Sequence, residues 1–210
     1  HSHTHLHTTA DGPKPAAELA ADIRPRPDLQ RVIERHALTQ DAARPEAMAR
    51  RHAQGQLSAR ELLEAVCDEG SFIEYGALAV AAQRQRRSED DLQRNTPADG
   101  LITGTGTLEG RPVAVMAYDY TVLAGTQGKN NHHKKDRLFE IVEKQRIPLV
   151  FFTEGGGGRP GDIDVQSVAG LNTMAFHIIG RLSGVAPLVG INSGRCFAGN
   201  AANSRNDARD

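Results

Sequence analysis

The sequence predicts an α/β fold in which strands and helices alternate and the connections cross over in the right-handed sense. Three observations predict it. Ile147-Pro-Leu-Val-Phe-Phe152 and Pro187-Leu-Val-Gly-Ile191 are short continuous apolar runs, the pattern of strands covered on both faces. Each run is preceded by a stretch with helical spacing, about residues 131–144 and 167–183. Each is followed at once by a glycine-containing turn, where ligands bind in open α/β sheets.

Composition sets the outer limits. The chain has 210 residues and a formal net charge of −1, with 39% hydrophobic and 24% charged residues. That suits a soluble globular protein with a core of useful size. The balanced charge argues against nucleic acid as a partner. No apolar run reaches the ~20 residues that span a bilayer. Two cysteines, Cys67 and Cys196, stand far apart. They exclude a disulfide scaffold and a cysteine zinc finger, and they suit a reducing cytoplasm. The sequence begins at His1 without Met or a signal peptide, which reads as a piece cut or processed from something longer.

Residues 1–27 read as a flexible His- and Pro-rich linker or tail. The alternation His1, His3, His5, His7 can bind Zn²⁺ or Ni²⁺. Nothing around it builds a ligand shell, so a mobile tail is the simpler reading and no metal site is assigned. Residues 28–54 have helical character, with Val32, Ile33, Ala37 and Leu38 on one face. Ser58-Ala-Arg-Glu61 is a capping box that starts a helix through Leu62, Leu63 and Val66. Asp68-Glu-Gly70 ends it, and Ser71 to Tyr75 is a short strand. The polar residues 83–99 read as a loop. Gly100 to Thr107 and Arg111 to Tyr118 form a hairpin around Leu108-Glu-Gly110. His132-His-Lys-Lys135 reads as a solvated helix start, with phosphate contact as its alternative.

The glycine turns carry the chemistry. Glu154-Gly-Gly-Gly-Gly-Arg159 follows a buried strand, and bare glycine lets a ligand lie against backbone N–H groups. Preorganised N–H pairs stabilise an oxyanion or enolate. Ser193 to Ala202 is a second such turn. Cys196 within it has no accompanying base and reads as a packing thiol. Gly104-x-Gly106-x-x-x-Gly110 has the wrong spacing for a dinucleotide site, and Gly125 to Lys129 is not a phosphate loop.

The ordered set of segments resembles the carboxyltransferase subunit of the biotin-dependent acyl-CoA carboxylases. The segments are Gln56 to Glu61, Asp68 to Glu74, Asp99 to Gly106 with Gly110 to Val113, and Tyr118 to Val122. Gly125-x-x-Gly128, Lys134, Glu154 to Arg159, Ser183 to Pro187 and Gly194 to Gly199 complete it. The likeness runs from about residue 30 to residue 202, so 28–202 is read as the N-terminal part of such a domain and 203–210 as a polar tail. It implies a crotonase-like fold of repeated ββα units, here incomplete. It implies transfer of a carboxyl group from carboxybiotin to the α-carbon of an acyl-CoA, as part of fatty acid metabolism.

Within that resemblance, the amides of Ala198, Gly199, Gly156 and Gly157 hold the thioester oxygen. Gly125, Gly128, Lys134 and Arg159 contact the CoA ligand. Biotin would ride on a separate carrier domain, because no Ala-Met-Lys-Met-like attachment site is present. The implied partners are the biotin carrier and biotin carboxylase domains, in an oligomeric cytoplasmic parent. The piece alone is expected to be inactive. Two departures stand out: Gly155-Gly156-Gly157 replaces Ser-Gly-Gly, and Ala198-Gly199-Asn200 replaces Gly-Gly-Ala. A crotonase-like hydratase or decarboxylase, with Glu154, Asp162 or Asp164 as the acid, is one alternative. A non-catalytic assembly module is the other.

Overall fold

The computed structural model describes residues 26–164 and 174–197. The chain divides into two units, 1–34 and 35–210. Helix α1 (Pro27–Ala37) opens the described part, with Asp28 in its first turn. The long helix expected over 28–54 is broken after Ala37. A 3-10 turn follows at Asp41–Ala43, and helix α2 (Pro45–Ala53) starts afresh. Pro45 marks the new start, since proline has no N–H for a continuing helix and suits a first turn.

Helix α3 (Ala59–Val66) begins at the expected capping box: the Ser58 hydroxyl accepts the Glu61 N–H, and the Glu61 carboxylate accepts the Ser58 N–H. Strand β1 (Ile73–Tyr75) is short and leads to helix α4 (Glu89–Asn95), where the sequence reads as a loop. Two local features make that helix. The Ser88 hydroxyl caps the Asp91 N–H, and Glu89, Asp90 and Asp91 place negative charge in the first turn. A single apolar residue, Leu92, anchors it, fully buried, so no periodic stripe marks it in the sequence.

Strands β2 (Leu101–Leu108) and β3 (Arg111–Tyr118) form the expected hairpin. Glu109 and Gly110 both have positive φ, at 50° and 77°, the conformation of a two-residue turn that matches strand twist. Helix α5 (Lys129–Gln145), strand β4 (Leu149–Gly156), helix α6 (Met174–Leu182) and strand β5 (Leu188–Phe197) follow. The five strands lie in the order β1-β2-β3-β4-β5. The first two pairings are antiparallel and the last two parallel.

Alternation in β3 and β4 splits the core into two layers. Ala114, Met116, Tyr118, Leu149 and Phe151 pack with Leu138, Phe139 and Val142 of α5 and Ile178, Ile179 and Leu182 of α6. Val113, Val115, Ala117, Val150 and Phe152 pack on the other face against Leu63 and Cys67 from the α3 region. Burial pushes the Cys67 thiol up, as suits a packing role. Strand β5 departs from the expected buried strand. Its Val189 and Ile191 are 45% and 40% exposed, because α3 packs over β3 and β2 on that face, not over β5.

Candidate functional site

Strand β4 delivers the glycine run to its carboxyl end. Gly155, Gly156 and Gly157 have φ of 70°, 129° and 83°, all in the region that favours glycine. The turn does not hang free. The Gln127 N–H donates to the Gly157 carbonyl at 2.8 Å, and the Arg159 N–H donates to the Gln127 carbonyl at 3.0 Å. The 125–128 segment and the glycine run therefore lie side by side.

The glycines divide by what surrounds them. A side chain on Gly155 would stand 2.1 Å from the Ala124 carbonyl oxygen, and one on Gly125 would stand 2.5 Å from that of Glu154. A side chain on Gly128 would meet both Arg159 and Asp162 at 2.4 Å. Gly155 and Gly125 allow close packing of one backbone on another, and Gly128 makes room for the Arg159 and Asp162 side chains. Gly157 and Gly158 differ: an added Cβ meets nothing within 4 Å. These two are open to an approaching group.

A buried polar network holds the far end of the turn. Arg159 donates to Asp99, to Asp162 at 3.5 Å and to the Thr126 carbonyl at 3.0 Å. Burial pushes the Asp99 carboxyl up, against the downward pull of Arg159. Asp99 also accepts the Asn131 N–H at 2.8 Å, and Asp162 accepts the Lys129 N–H at 3.1 Å. The Asn131 side chain accepts the Gly128 N–H at 3.0 Å. The Gly128, Lys129 and Asn131 N–H groups at the start of α5 are thus taken up by the chain's own acceptors. A cavity of about 420 Å³ opens beside this network, lined by Arg86, Arg87, Arg159 and Thr126.

Lys134 lies away from the turn. Its ammonium donates to the Ala98 carbonyl at 2.7 Å and to that of Leu101. Burial lowers its pKa to about 8. Lys135 is buried too, 3.3 Å from the Tyr118 hydroxyl. The expected solvated face at 132–135 is therefore wrong for both lysines: their ammonium groups reach inward to acceptors at the ends of β2 and β3. His132 is held down to about pKa 4, first by burial and then by Lys135, His133 and Arg159.

Of the expected site residues, Gly125, Gly128, Gly156, Gly157 and Arg159 come together. Ala198 and Gly199 lie outside the described residues, as do His1 to His7 and 203–210. Cys196 is a free, partly exposed thiol on β5. Sequence reasoning missed Arg51. It donates from α2 to both carboxylate oxygens of Glu154, at 3.0 and 2.8 Å. Helical pattern gives no signal for such a contact, because the partners are distant in sequence.

The acids of the hydratase alternative are all engaged. Arg51 holds Glu154; Gln83, Arg159 and the Lys129 N–H hold Asp162. Asp164 accepts the N–H groups of Arg84 and Gln85 at 2.7 and 2.9 Å. Each carboxylate of this set is held within the fold by the chain's own donors, and that alternative is not favoured.

The comparisons with known proteins agree with the geometry. The carboxyl transferase domain family matches residues 50–206. The chain is 32% identical, over 87% of its length, to the methylmalonyl-CoA carboxyltransferase 12S subunit of Propionibacterium freudenreichii subsp. shermanii. It is 33% identical, over 92% of its length, to the biotin-dependent long chain acyl-coenzyme A carboxylase beta4 subunit of Mycobacterium tuberculosis. It covers 33% and 32% of those two relatives, so the chain spans about a third of their length.

Among solved structures, a single-chain, multi-domain long-chain acyl-CoA carboxylase superposes with a TM-score of 0.80 at 54% identity, covering 86% of this chain and 18% of that one. The transcarboxylase 12S hexamer core, with hydrolysed methylmalonyl-coenzyme A bound, gives 0.71 at 29% identity, covering 85% and 34%. These neighbours bear out the α/β, crotonase-like fold expected from the sequence. A glycine turn at the end of a parallel strand, an ordered run of matching segments and a shared sheet lead to one conclusion: this chain belongs to the carboxyl transferase domain family.

Proposed function

We propose that this chain is the acyl-CoA-binding part of a carboxyltransferase that moves a carboxyl group from carboxybiotin to the α-carbon of an acyl-CoA. The observation that carries the reading is the open side of Gly157 and Gly158, at the end of β4, within a turn otherwise packed tightly. An acyl thioester brings a flat carbonyl that needs close approach to backbone. Gly156 and Gly157 are the candidate donors to its oxygen, with Ala198 and Gly199 as the proposed second pair.

Loss of the α-proton places negative charge on that oxygen, and fixed N–H dipoles stabilise it without reorganising. The chain's residues position the thioester, keep the donors aimed and exclude water from one side. Biotin, when present, supplies the activated carboxyl group. A covalent biotin does not fit this chain, since none of its lysines is flanked by methionine. A separate carrier domain and a biotin carboxylase are therefore the proposed partners, in an oligomeric, cytoplasmic parent.

Among the described residues no helix is long and apolar enough to cross a membrane. Gly125, Gly128 and Arg159 are assigned to shaping the binding turn. Residues 28–202 form the domain part in this reading, flanked by linker and tail.

The test is calorimetric titration of the chain with free CoA and propionyl-CoA. Tighter binding of the thioester, lost in Gly158→Val, supports the reading. Equal affinity for both ligands in the unaltered chain sinks it.

A further inference from the structure

Helix α2 and its N-cap carry two arginines that reach the carboxyl ends of two neighbouring parallel strands. Arg44 donates to Asp119, just past β3, and to the Thr121 hydroxyl, both at 2.8 Å. Arg51, two turns on along the same face, holds Glu154 near the end of β4. Both partners of the second pair are buried, at 7% and 5% side-chain exposure.

Four consecutive glycines have no side chains by which neighbours can hold them, so the Gly155–Gly158 turn is held through its backbone, by β5 and Gln127, and by the side chains at its two ends. The Asp99–Arg159–Asp162 network grips the far end. Glu154 is the last side chain before the near end. Its carboxylate plane is fixed by two parallel donors, and Arg51 is itself tied to the Leu57 carbonyl through Nε at 2.8 Å. The register of β4 on β5 slips here: Thr153 pairs with Asn192, but Gly155 pairs with Cys196. Gly194 lies within the slip, and any Cβ on it would stand 2.4 Å from Glu154 Oε1. The carboxylate is thus wedged between α2 and β5.

We infer that Arg51 is a positioning residue: its two-point grip on Glu154 sets the conformation of the Gly155–Gly158 turn and so the aim of the turn's amides. The inference rests on the acyl-CoA reading for its functional half. A buried ion pair contributes little net stability compared with apolar groups of the same shape. What this pair supplies is geometry, since a lysine would keep the charge and lose the fork.

The test uses the full chain and two variants. Arg51→Lys keeps the charge; Arg51→Met with Glu154→Gln removes both charges and leaves no buried ion alone. Amide order parameters from ¹⁵N relaxation are read for Gly155–Gly158 and for the β2–β3 hairpin. In the unaltered chain the turn should be near about 0.85, falling below about 0.6 in both variants while the hairpin keeps its value. The preference for propionyl-CoA over free CoA should fall about tenfold in the same variants. A turn as rigid in both variants as before overturns the inference, and so does uniform loosening of turn and hairpin together. If the turn loosens alone while the unaltered chain binds both ligands equally, the positioning role stands and the acyl-CoA reading fails.

Discussion

Arg159 and Asp99 form a buried ion pair that joins the end of the glycine turn to the start of β2, with side-chain exposures of 4% and 0%. Asp162 shares the same guanidinium. One cation therefore serves two carboxylates that water does not reach. Arg159→Met should cost about 3–5 kcal/mol, because it leaves two buried carboxylates without their cation. Urea denaturation measures it. A loss below about 1 kcal/mol would mean that the carboxylates find other donors.

Lys134 predicts a slope of stability with pH. Its pKa is about 8 in the folded chain, below its ordinary 10.5. Between those values the unfolded chain holds more protons, so stability rises with pH across that window. The gain is about 3 kcal/mol if fully expressed. The difference in unfolding free energy between the unaltered chain and Lys134→Met should change by that amount between pH 8 and 10.5. A flat difference would refute the assignment.

His132 gives the acid-side counterpart. Held near pKa 4, it stays neutral where a free imidazole takes up a proton. Folding thereby loses stability as pH falls below about 6.5 toward 4. Imidazole proton shifts of His132 should stay constant from pH 8 to 5. A midpoint near 6.5 in the NMR titration would show that the ring is not enclosed.

The two kinds of glycine separate by substitution. Gly155→Ala puts a methyl group 2.1 Å from a backbone oxygen at φ 70°, so the main chain itself must move. A loss of more than about 3 kcal/mol is expected. Gly157→Ala meets only the conformational penalty of its φ of 83°, about 1–2 kcal/mol. Thermal melts that rank the two the other way would contradict the packing described.

Much of the frame is legible in the sequence because its causes are local. Ser58 with Glu61, Glu109 with Gly110, and the apolar run at Leu149–Phe152 each specify their structure within a few residues. What escapes has distant causes or weak local ones. Leu92 alone anchors α4, too little for a periodic pattern. Lys134 and Lys135 are polar letters in a helix, yet their ammonium groups bond to Ala98, Leu101 and Tyr118. The glycine turn is visible as composition, and its position at the end of β4 follows. Its division into packed and open glycines does not, since that depends on the approach of the Ala124–Gly125 turn to Glu154 and Gly155. The pairing of Arg51 with Glu154 is likewise a product of tertiary structure.

The change from antiparallel to parallel pairing at β3 has a consequence for the order of assembly. Strands β2 and β3 are closed by two residues, while β3 meets β4 only after the chain has travelled the whole of α5. The entropy of closing the longer loop is the greater, so the hairpin is the natural nucleus and the parallel half condenses onto it. Substitutions at Gly110 then slow folding, whereas those at Leu149 chiefly hasten unfolding. The glycine turn at the end of β4 belongs to the half that arrives late, so the proposed binding surface is among the last features of the molecule to take shape.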